Sequence, residues 1–135
     1  ISKIKGVMQI SNVTTKEAPA AIGTYSQATI HEGLLYISGQ IPLDPKTMKV
    51  ISGGFPAQIK QVFSNLSAIA IAANTTLEDC IKINVYLTDL ENFKYVNEIM
   101  EKLLATPYPA RAVVEVSGLP RAVDVEIDAI VAIRK

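Results

Sequence analysis

The segment VDVEIDAIVAI, Val123 to Ile133, constrains this chain more than any other. It reads as a β-strand in which Asp124, Glu126 and Asp128 point together. Towards its end Ile130 and Ala132 join Val131 and Ile133, so the strand becomes apolar on both sides. Such a strand needs cover on both faces of its sheet. The rest of the chain has to be asked whether it can supply both covers.

It supplies one. QISN near Gln9 predicts a short first strand, and Ala18 to Ser26 a loop punctuated by Pro and Gly. A hairpin follows, with arms Gln27 to Ile30 and Leu34 to Ile41 about the turn His31-Glu32-Gly33. Ile59, Val62, Phe63, Leu66, Ile69 and Ala73 repeat at three-four spacing and predict a helix over Phe55 to Ala73, with Pro56 tolerated in its first turn. Cys80 to Leu87 alternates as a strand. A second helix is expected from about Asn92 to Leu104, with Phe93, Val96, Met100, Leu103 and Leu104 inward and Thr106-Pro107 as its stop. The closing strands, Ala110 to Val116 and Val123 to Ile133, are expected to form a hairpin through Ser117 to Pro120. The order gives one α+β domain over 1–135, with two helices on one face of a mixed sheet. The other face is left bare, which predicts a homo-oligomer with sheets packed together and clefts at the subunit boundaries.

The totals narrow the function classes. Thirteen basic and thirteen acidic residues cancel, and no basic run appears, so nucleic acid and anionic membranes gain no electrostatic support. No apolar run approaches a membrane span. Cys80 is the one cysteine and suits a reducing compartment; it begins an apolar strand, where a thiol is inert core. No secretory signal is evident, so the expected location is the cytoplasm, or the mitochondrial matrix if a targeting segment has been removed. His31, the sole histidine, reads as a solvated turn residue, and no metal-ligand cluster is visible.

Arg111 is the residue that asks for a role. It lies near the start of the strand YPARAVVEV and keeps its charge at any working pH. In a tight closing hairpin it falls opposite Glu126 or one diagonal step away. One reading is a cross-strand ion pair that fixes register. The other is a site: the guanidinium fork grips a small carboxylic acid, and the glutamate directs a water at the neighbouring carbon. In that geometry Arg111 should hold the Glu126 carboxyl below its ordinary pKa until a bound carboxylate neutralises the cation.

At these residues the chain resembles the Rid (also called YjgF) family of reactive-intermediate deaminases. The matching stretches are APAAIGTYSQA, LYISGQIPLDP, GGFPAQIKQVFSNL, INVYLTDLENFKYVNEIM, YPARAVVEV and VEIDAIVAIRK, in order from Ala18 to Lys135. The resemblance implies a chorismate mutase-like fold and a homotrimer whose sheets form a barrel-like core, with sites between subunits. It implies hydrolysis of 2-enamino and 2-imino acids, such as 2-aminoacrylate and 2-iminobutyrate, to 2-keto acids and ammonia, with no cofactor. It further implies that Arg111 clamps the substrate carboxylate, Glu126 positions water, and Tyr25 acts beside them. Ser38, Gly39, Asn97 and the backbone at Val113 would line the cleft. Two positions depart from the common pattern: Thr24 stands where many members have Pro, and Val113 where many have Cys. The same grip would serve a keto-acid-binding regulator, and family members have also been described as RNases. Arg121 reads as a surface charge that could rim the cleft.

Overall fold

The computed structural model describes residues 2–5 and 8–134, with side chains from residue 9; Ile1, Gly6, Val7 and Lys135 lie outside the described residues. Seven strands and two α-helices follow in chain order: β1 Ser2–Lys5, β2 Met8–Val13, β3 Ala28–His31, β4 Leu34–Gln40, α1 Phe55–Ala72, β5 Cys80–Leu87, α2 Phe93–Leu103, β6 Ala110–Glu115 and β7 Val125–Ala132. They form one mixed sheet in the order β1-β2-β3-β4-β7-β5-β6, in which β5 and β6 are parallel and all other pairs antiparallel.

The local reasons are legible. β3 and β4 join through Glu32 and Gly33, whose φ values of 47° and 77° give the left-handed pair that a two-residue hairpin needs. His31 remains in β3, and its Nδ1 lies 3.1 Å from the Gln9 carbonyl, so it is not the solvated turn residue expected. In α1 the predicted stripe is the core: Ile59, Val62, Phe63, Leu66 and Ile69 are all buried. The helix ends where Asn74 turns left-handed and Thr75 N–H reaches back to the Ala70 carbonyl. β5 carries Ile83, Val85 and Leu87 inward, but a register shift between Cys80 and Lys82 puts Cys80 inside and leaves Ile81 out. In α2 the buried line is Val96 and Met100, continued by Leu104. Phe93 and Leu103 flank that line and are exposed, contrary to expectation.

The closing hairpin does not form. Ser117 to Pro120 leads into a 3-10 turn at Pro120–Ala122, and β6 and β7 are not neighbours. β5, α2 and β6 make a parallel crossover that lays β6 along the outer edge of β5. β7 then enters the middle of the sheet between β4 and β5, where a strand apolar on both sides belongs.

Both helices pack on one face, against Leu35, Ile37, Ile83, Val85, Val125, Ile127 and Val131. The opposite face is uncovered. Along β7 burial alternates strictly, and Glu126, Asp128, Ile130 and Ala132 on the open side are only half-buried. Tyr36 is exposed beside Ile130 on that side.

Candidate active site

Glu126 stands on the open face of β7, level with Tyr86. Beside it, β4 carries a bulge: Ile37 pairs with Ala129 and Gln40 with Ile127, so Ser38 and Gly39 together face the single residue Asp128. The bulge brings the Gly39 backbone under the Glu126 carboxylate. A Cβ at Gly39 would run into Glu126 Oε2 and come within 2.9 Å of its Cδ, so only glycine leaves the carboxylate its place.

The carboxylate opens into a cavity of about 560 Å³ whose walls include Ile22, Tyr25, Ser38, Gly39 and Arg121. Tyr25 rides on the loop between β2 and β3. Buried Gln27 clamps that loop: its Nε2 donates to the carbonyls of Thr15 (3.0 Å), Ala18 (3.2 Å) and Pro19 (2.8 Å), and its Oε1 accepts the Thr15 N–H at 2.7 Å. Ser38 Oγ donates to the Ser26 carbonyl at 2.6 Å. Its proton is therefore committed to the loop, and the hydroxyl faces the cavity as an acceptor.

Glu126 binds its proton more tightly than an ordinary glutamate. Burial is the larger cause and the negative charge of Asp128 the second. Asp128 is held by Asn84 Nδ2 at 2.8 Å and by the Tyr86 hydroxyl at 3.0 Å. Burial first, then the bond to Asp128, push the Tyr86 phenol up, so it stays a donor. The depression expected from Arg111 is absent, because Arg111 is not there.

Arg111 is level with Ile83 on the helix-bearing face of edge strand β6. Its Nη1 donates to Asn97 Oδ1 at 2.7 Å and lies 3.6 Å from Met100 Sδ, and its Cζ sits 5.1 Å from the centre of the Phe93 ring. Among the described residues no carboxylate lies within ion-pair distance of Arg111, so the cross-strand ion pair is ruled out. The exposed guanidinium opens into a second cavity, of about 460 Å³, with Asn97, Tyr108 and Pro109. The Val113 side chain packs against the core. Val116 N–H bonds the Leu87 carbonyl, so by the two-residue period of a strand Arg111, Val113 and Glu115 turn their backbone groups to the free edge.

The predicted residues thus fall into two groups. Tyr25, Ser38, Gly39 and Glu126 share one cavity, Arg111 and Asn97 share the other, and Val113 presents only backbone. Gln27, Asp128 and Phe93 act on these groups and were not singled out from sequence. A glutamine leading into the strand ATIH was the available signal for Gln27. Cys80 is inert: burial pushes its thiol up to about 11. Among the described residues no helix is long and apolar enough to cross a membrane, and no three His, Cys, Asp or Glu side chains gather as a metal site.

Residues 15–133 match the family model described as endoribonuclease L-PSP. A RutC family protein, y4sK, of Sinorhizobium fredii is 44% identical over 124 residues, covering 92% of this chain and 98% of the relative. The 2-iminobutanoate/2-iminopropanoate deaminase of Homo sapiens is 39% identical over 118 residues, covering 87% and 86%. The crystal structure of RidA from the Antarctic bacterium Psychrobacter sp. PAMC 21119 superposes with a TM-score of 0.87 at 49% identity, covering 91% of this chain and 99% of that one.

Proposed function

The chain belongs to the endoribonuclease L-PSP family, which includes the Rid (YjgF) proteins, and on that premise we propose that it hydrolyses reactive 2-imino and 2-enamino acids to 2-keto acids and ammonia. The observation that carries this reading is Glu126: a half-buried carboxylate of raised proton affinity, seated over Gly39 in a cavity walled by Tyr25. A general base near neutral pH needs such an environment.

The two groups of residues become one site only between copies of the chain. Arg111 and Glu126 lie on opposite faces of the sheet, and the bare face presents Tyr36, Val114, Ile130 and Ala132 for burial. We propose a homotrimer in which the open faces pack together and Arg111 of one copy meets Glu126 of the next. Stacked on Phe93 and held by Asn97, the guanidinium keeps donors free for a carboxylate. The Val113 backbone at the free edge of β6 is available to the same substrate.

The reaction then follows from the groups. Arg111 fixes the 2-imino acid by its carboxylate, which trades translational freedom for orientation. An enamine takes a proton from solvent at C3, and an imine takes one from solvent at nitrogen, so that both enter as the iminium. Glu126 takes a proton from water as the water oxygen bonds to C2, and the C=N electron pair moves onto nitrogen. Glu126 returns that proton to nitrogen. The C–N bond breaks, ammonia leaves, and loss of the hydroxyl proton completes the keto group. Tyr25 offers a hydroxyl to the cavity and its ring keeps bulk water out.

The neutral chain, with no basic stripe, gives no support to a nucleic-acid backbone as substrate. The test is to generate 2-aminoacrylate or 2-iminobutyrate in situ with a serine or threonine dehydratase and to follow imine loss. Acceleration that Arg111→Ala and Glu126→Ala abolish supports the deaminase. No acceleration, with tight keto acid binding, makes the protein a keto-acid-binding regulator instead.

A further inference from the structure

Arg121 lines the cavity that holds Glu126, and Arg111 does not. Its backbone is in the left-handed region at φ 61°, and that of Ala122 follows at 56°. Met48, across the same cavity, has φ 60°. Three non-glycine residues in a conformation that L side chains resist therefore lie at two loops that meet. The contact between them is a long bond of 3.4 Å from Arg121 Nη1 to the Met48 carbonyl. Among the described residues no carboxylate pairs with Arg121, although Glu126 shares its cavity. The fork is exposed with most of its donors unused.

The charge around it is mostly positive. An adjoining cavity shares Ala20, Tyr25 and Met48 as walls and adds Lys16 and Lys46. Three cations thus surround the two cavities against the single acid Glu126. A mononegative imino acid needs only the Arg111 grip. A substrate with a second carboxylate on its side chain would be repelled by Glu126 unless a cation in the same cavity met it, and a guanidinium fork fits that carboxylate.

We propose that Arg121 is a specificity-determining residue that receives a side-chain carboxylate, so that the site takes dicarboxylic 2-imino and 2-keto acids in preference to monocarboxylic ones. This rests on the deaminase reading for the place of the first carboxylate. It is tested by binding, which needs no turnover. Titration calorimetry compares the four- and five-carbon keto diacids with 2-oxobutyrate on wild type, Arg121→Gln and Arg121→Lys. We expect at least one diacid to bind about tenfold or more tighter than 2-oxobutyrate. Arg121→Gln should reduce that ratio to near one or below, and Arg121→Lys should retain part of it. No diacid preference in wild type, or an equal loss of both ligand types in Arg121→Gln, overturns the proposal while Arg111-dependent binding of 2-oxobutyrate leaves the deaminase reading standing. If no keto acid binds at all, the diacid proposal falls, while the imine-hydrolysis assay decides the deaminase reading separately.

Discussion

Arg111 and Glu126 stand on opposite faces of one sheet: Arg111 is level with Ile83 on the helix-bearing side, and Glu126 with Tyr86 on the open side. Both are set in strands, with β5 between them. No rotamer change can bring the two side chains to one small substrate within a chain. In the proposed homotrimer each anchors half of a site, and each half has its own support. Asn97, Met100 and Phe93 hold the guanidinium; Gly39 and the Asp128 cluster set the carboxylate.

Asp128 raises the proton affinity of Glu126, after burial. If Glu126 must be ionised to act, the charge of Asp128 holds the acid limb of the kcat/KM profile higher than it would otherwise lie, whatever the neighbouring copy's Arg111 does to it. Asp128→Asn removes the charge and should move that limb to lower pH. A pH-rate profile of wild type and variant checks this. A limb that stays put or rises contradicts the role given to Asp128.

The same raised pKa makes Glu126 a cost to the fold. With the folded pKa above the unfolded one, stability from this group is greatest below the unfolded value and is lost as pH rises through the folded value. In an Arg111→Ala background, which removes the neighbouring copy's guanidinium, Glu126→Gln should therefore raise Tm at pH 7 by up to about 3 °C once solvent screening of the half-exposed group is allowed for. Calorimetry at pH 7 and at pH 4 reads it, with the gain shrinking at the lower pH.

Gly39→Ala separates the site from the fold. The new Cβ meets the far end of a flexible side chain, so the carboxylate can swing away and stability should fall by no more than about 1 kcal/mol. The displaced base should cost about 100-fold or more in kcat. Comparable activity with a larger loss of stability would show that the close approach is packing alone.

Gln27→Ala strips three loop carbonyls and one N–H of their partner. The expected loss is about 2–4 kcal/mol in the urea unfolding free energy, with a raised KM as the Tyr25 loop loosens. Stability loss without any change in KM would detach the loop from substrate binding.

Much of this was readable in the residues. Period-two alternation put Arg111 with Val113, and Glu126 with Asp128, correctly on shared faces of their own strands, and three-four spacing found the α1 core. Periodicity fixes faces but carries no information about neighbours. Ser117 to Pro120 looks like a hairpin turn; the left-handed pair Arg121-Ala122, which no residue type there demands, sends the chain elsewhere. The two-sided apolarity of Ile130 to Ile133 was read as a demand for cover on both faces and not as a place in the strand order; β7 lies in the middle of the sheet, with its second face open. Phe93 misled because an aromatic at the start of a helix serves a cation as well as a core. The α-carboxylate grip and the base are candidates that the resemblance supplies; that Arg111 and Glu126 stand on opposite faces of the sheet depends on strand order, which the pattern does not encode.

The shared site between copies is tested most directly by mixing two inactive variants. Arg111→Ala and Glu126→Gln are unfolded together and refolded as a mixture, and imine hydrolysis is measured. In a statistically mixed ring, an interface that joins the intact Arg111 of one variant to the intact Glu126 of the other arises about one quarter of the time. The account predicts recovery to about one quarter of wild-type activity from two preparations that are each silent. A mixture as silent as its parts, with mixed assembly verified by mass spectrometry, would contradict it.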